Sequence, residues 1–94
     1  MECNNMKNAL AIISQADPLS ITREDKSLII HTFSTIMAAL NKVGMLTTEM
    51  SFQHALLREA TWNDGYFCTV AKRMCSIMYP VLETCEAVFN VKED

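Results

Sequence analysis

Turn-forming residues are scarce in this chain. Two glycines and two prolines among 94 residues leave little material for tight β-hairpins. Basic charge is also short: eight Lys and Arg stand against eleven Asp and Glu, a net −3 with His neutral. No stretch gathers more than two adjacent basic residues, which argues against a phosphate backbone as partner. Long apolar runs are missing too. The brief run Ala9-Leu10-Ala11-Ile12-Ile13 is too short for a signal-peptide core and far too short to span a bilayer, so a cytoplasmic chain is expected. Interfacial membrane binding is not expected either, because the fourth predicted helix carries only Lys72 and Arg73 on its polar side before Glu83 and Glu86.

Catalytic and metal-binding signatures are absent as well. The sequence contains no G-x-x-x-x-G-K, G-x-S-x-G or H-E-x-x-H motif and no C-x-x-C or H-x-x-x-H spacing. Neither His31 nor His54 has a neighbour at a spacing that makes a recognisable dyad. Cys68 and Cys75 are two helical turns apart, about 10 Å, beyond disulfide reach. The four cysteines, Cys3, Cys68, Cys75 and Cys85, therefore read as reduced, buried apolar groups. No enzyme, cofactor or metal site is expected.

What the chain has is helical periodicity. Half of its residues are hydrophobic, and Ile29, Phe33, Ile36, Leu40 and Val43 advance by alternating steps of four and three. Phe67, Ala71, Met74, Met78, Val81, Cys85 and Val88 do the same. That spacing keeps apolar side chains on one side of a helix and predicts helix-on-helix packing. The expectation is an all-α, compact four-helix bundle forming a single domain over residues 1–94, with a long C-terminal helix that Pro80 kinks or splits at Tyr79-Pro80.

The punctuation supplies the boundaries. A first helix is predicted over about Asn5–Gln15, with Met6, Ala9, Leu10 and Ile13 inward, ending before Asp17-Pro18. Thr22-Arg23-Glu24-Asp25 reads as a capping box opening a second helix, and Gly44 as the left-handed residue that stops it after Val43. Leu46-Thr47-Thr48-Glu49 opens a third helix to about Ala60, with Phe52, Ala55, Leu56 and Ala60 on one face and Met50 and Leu57 on another. Thr61-Trp62-Asn63-Asp64 is read as a further box opening the fourth helix, which runs to about Asn90 before a charged, fraying tail.

Function has to come from surplus apolar surface. The fourth helix carries more apolar positions than one packing seam requires, and Met is suited to adaptable surfaces, so Met45 and Met50 become interface candidates. Trp62, Tyr66 and Tyr79 are aromatic groups of the kind that anchor interfaces, although they would also serve as a clamp closing one end of the bundle. The expected partner-binding residues are Met50, His54, Leu57, Trp62, Tyr66 and Tyr79. The expected role is a protein-interaction module, an adaptor, inhibitor or regulator that binds a protein partner and forms a homodimer. On that reading Leu57→Asp or Trp62→Ala weakens assembly and spares helical content. Two alternatives remain open: a dimeric helix-turn-helix-like nucleic-acid regulator, disfavoured by the aromatic and acidic start of the fourth helix, and a bundle that binds a small ligand between helices near Pro80.

Overall fold

The capping chemistry read from the sequence sets most of the element boundaries. The computed structural model describes the backbone of residues 3–93 and the side chains of residues 3–86. Four α-helices follow one another: α1 (Cys3–Ile13), α2 (Arg23–Lys42), α3 (Thr48–Glu59) and α4 (Asp64–Glu93), with a 3-10 turn, Ala60–Trp62, between the last two. The all-α four-helix bundle is thus observed.

Thr22 caps α2 as expected. Its hydroxyl accepts from the Asp25 amide and the Asp25 carboxylate accepts from the Thr22 amide, both at 3.0 Å, satisfying two donors that a helix start leaves open. At the other end Gly44 takes φ +74°. The Met45 amide donates to the Leu40 carbonyl and the Gly44 amide to the Asn41 carbonyl, the paired bonds of a Schellman stop. Thr47 caps α3 by accepting from the Met50 amide. The start of α4 differs from expectation. Asn63, one residue before the helix, accepts from the Tyr66 amide at 3.0 Å, whereas Thr61 lies in the 3-10 turn and donates back to the Arg58 carbonyl. The cap is of the same span but lies two residues later, at Asn63 instead of Thr61.

One contiguous core joins all four helices. From α1 it takes Cys3, Met6, Leu10 and Ile13; from α2 Ile29, Phe33, Ile36 and Leu40; and from α4 a broad face including Phe67, Val70, Ala71, Met74, Met78 and Leu82. The Cys3 thiol donates to the Leu82 carbonyl and the Cys75 thiol to the Leu10 carbonyl, both at 3.4 Å, so α1 lies antiparallel along α4. All four cysteines are buried.

Three expectations need correction. α4 is not split, because its helix continues unbroken across Pro80. Between Phe67 and Cys85 its wide apolar face is not surplus surface. It is buried against α1 on one side and α3 with the 3-10 turn on the other, which makes α4 the bundle's central helix. Finally, α3 is rotated from the predicted orientation: Met50, Gln53, Leu57 and the adjoining Ala60 face inward, while Phe52 is 55% exposed and Ala55 is also exposed. The inward stripe passes through Gln53, a polar residue, so an apolar count favours the wrong face. Gln53 is accommodated because it donates to Glu49 at 3.0 Å and accepts from Arg73 at 3.4 Å. Val88 and the neighbouring apolar positions 87 and 89 lie outside the residues whose side chains are described, and the charged tail predicted after Asn90 is helical as far as Glu93.

Candidate functional site

Among the described residues the large exposed hydrophobics are spread over the molecule, and two of them, on α1 and α2, face one groove. On α1, Met6, Leu10 and Ile13 take the inward stripe, and Ile12 is left 74% exposed. On α2, the stripe Ile29-Phe33-Ile36-Leu40 leaves Leu28 64% exposed. Between these two residues runs a groove of about 390 Å³, closed at one end by the connector. Ala9, Ile13, Ala16, Ile21 and Ile29 supply its apolar lining, and Gln15, Asp17, Ser20, Asp25 and Thr32 its polar edge. Lys and Arg are absent from that lining. Its two carboxylates are held in place locally: Asp17 accepts from the Leu19 amide at 2.9 Å, and Asp25 accepts from the Thr22 amide within the capping box.

A second recess, of about 420 Å³, is lined by Arg23, Lys26, Ser27, Thr61 and Trp62. Trp62 ends the 3-10 turn and is 81% exposed, so it closes nothing among the described residues. Lys26 ties α2 to the start of α4 by donating to the Thr61 carbonyl at 2.8 Å and pairing with the Asp64 carboxylate. The groove and the recess flank the same first turns of α2: residues 25, 28, 29 and 32 line one, and residues 23, 26 and 27 the other.

The residues expected to bind a partner are scattered by the fold. Met50 and Leu57 are fully buried core residues and present no surface to a partner. Leu57→Asp is therefore a core lesion, since it would place an unpaired carboxylate in an apolar interior. Met45, the other methionine candidate, is half-buried against the core. His54 is half-buried between helices, its Nε2 3.1 Å from the Ser34 hydroxyl and 3.2 Å from the Ile30 carbonyl, where it ties α3 to α2. Trp62, Tyr66 and Tyr79 are exposed. They do not form one patch: Tyr66 and Tyr79 are separated by about 20 Å of helix rise. Tyr79 instead carries the Lys7 ammonium 5.8 Å from its ring centroid, and Lys7 pairs with Glu86 at 3.4 Å.

Ile12 and Leu28 were missed by the sequence reading, although a signal existed. Both are large aliphatics one position away from a residue of the inward stripe, so each is left over once the stripe is assigned. Leu19, beside Pro18 in the connector, is a third. Pro80 does not line the α1–α2 groove, which separates that groove from the ligand position expected near the bend. Among the described residues, no group of three or more His, Cys, Asp or Glu could hold a metal ion, and no helix is long and apolar enough to cross a membrane.

Fold and site together define a small helical bundle with an apolar groove between its first two helices. Comparison with models of known protein families, with curated proteins and with solved structures finds no match for this chain.

Proposed function

We propose that this chain is a cytosolic protein-interaction module, an adaptor, inhibitor or regulator, that acts by taking an apolar element of a partner protein into the α1–α2 groove. The observation that carries this reading is the pairing of Ile12 and Leu28, two large aliphatics facing solvent across a preformed groove rather than scattered singly. Grooves between helices commonly receive apolar anchors spaced along a partner helix. The free thiols of Cys68, Cys75 and Cys85 fit a reducing compartment.

The test is capture from extracts of the native cell. The wild-type chain retains a partner that the Ile12→Asp/Leu28→Asp chain loses, while the far-ultraviolet circular dichroism of the two is the same. Equal capture by both chains overturns the reading.

A second reading is supported by size. A volume of about 390 Å³ falls within the range of small-molecule pockets, and the lining combines aliphatic walls with a few polar groups. A small apolar ligand in the same groove raises the melting temperature of the wild type and not that of the double variant.

A further inference from the structure

We infer that the occupant of the groove is a second copy of this chain, which inserts its own Trp62. The inference rests on the reading of the groove as a protein-binding site and names its partner. Three observations carry it, beginning with shape. The indole projects into solvent from a short 3-10 turn whose backbone is anchored by buried Ala60 and followed at once by the Asn63 cap, so its point of attachment is fixed. An aromatic group of this size covers about 150–250 Å² when buried, and an apolar slot is what it requires.

Charge is the second. The groove edge carries Asp17 and Asp25 with no cation in its lining, and each carboxylate spends one oxygen on a local amide. Beside Trp62 stands Arg23, which has no ion-pair partner among the described residues; Lys26, next to it, is already held by Asp64. A docked copy brings that guanidinium to a carboxylate edge that lacks one. Geometry is the third. Groove and indole flank the same turns of α2, so a half-turn about an axis parallel to α2 sets each copy's Trp62 against the other's groove. Such a rotation involves no shift along the helix, which leaves Arg23 within about 3 Å, along that axis, of the level of Asp25 in the other copy. The same contact is made twice, and the assembly closes as a two-fold pair.

Sedimentation equilibrium from micromolar to millimolar concentration tests this. The wild type forms dimers, and Trp62→Ala or Ile12→Asp weakens the dimer at least about 30-fold, the loss expected of an interface anchor. Arg23→Glu weakens it as well, and added salt reduces the difference between Arg23→Glu and wild type. The deciding experiment is an equimolar mixture of Trp62→Ala, which keeps its groove, with Ile12→Asp, which keeps its indole. The mixture associates more tightly than either variant alone, because one intact contact is restored. A wild type that stays monomeric, a dimer unaffected by Trp62→Ala, or a mixture no tighter than its components overturns the inference. A monomeric wild type that still captures a partner through Ile12 and Leu28 leaves the interaction reading standing and assigns the groove to a different protein.

Discussion

At the scale of single residues, burial does chemical as well as mechanical work. Burial pushes the Cys75 thiol up to about 11 from its ordinary 9.0, and it raises Cys68 and Cys85 as well. When a thiol's pKa is higher in the folded chain, the unfolded chain loses that proton first as pH rises. For Cys75 the stabilisation is then complete below about pH 9 and is lost as pH climbs toward 11, by up to about 1.4 kcal/mol per pH unit. Urea titrations at rising pH should show the midpoint falling through this window, with a shallower fall for Cys75→Ala. An unchanged slope in that variant would mean other groups dominate alkaline unfolding. Met50 and Leu57 illustrate the mechanical side. Both are large apolar residues on a short helix, and nothing in their own chemistry separates a core anchor from an interface anchor.

At the scale of elements, capping was largely legible and facing was not. Thr22, Asp25, Gly44 and Thr47 act where their side chains or backbone freedom predicted, because a cap is a bond between neighbours in sequence. The orientation of α3 depends on what it meets, and Gln53 is admitted to the interior only because Glu49 and Arg73 satisfy its amide. Pro80 in α4 is a case where two element-level effects compete. It removes one amide donor and crowds the Ser76 carbonyl, a helix-interior cost of about 3 kcal/mol relative to Ala. Its stiffening of the unfolded chain returns only about 0.4–1 kcal/mol. Pro80 is exposed, so Pro80→Ala loses little packing. The variant should be more stable by about 2–2.6 kcal/mol in urea unfolding, and a lower midpoint would mean that the packing of α1 on α4 depends on the proline.

At the scale of the whole molecule, the two ends of the chain hold each other. Cys3 bonds to the Leu82 carbonyl and Lys7 pairs with Glu86 across nearly the full length of the sequence, while Met6 and Leu10 join the same core as Phe33 and Met74. A core continuous through all four helices should unfold as one unit. Met6→Ala is expected to cost about 2–5 kcal/mol, with helical signal and cysteine accessibility to a thiol reagent changing at the same urea concentration. Separate transitions for the two signals would show that α1 detaches first.

The sequence by itself determined that this chain is helical, that four helices fit its length, and where three of them start or stop. Those features follow from backbone bonding and side-chain spacing within a few residues. Only the tertiary structure decided that α4 is central, that Met50 and Leu57 are interior, and that Ile12, Leu28 and Trp62 remain in solvent. Burial is a competition among all apolar groups for a limited interior. Its outcome is set by how whole helices fill space against one another, which no local stretch of sequence contains.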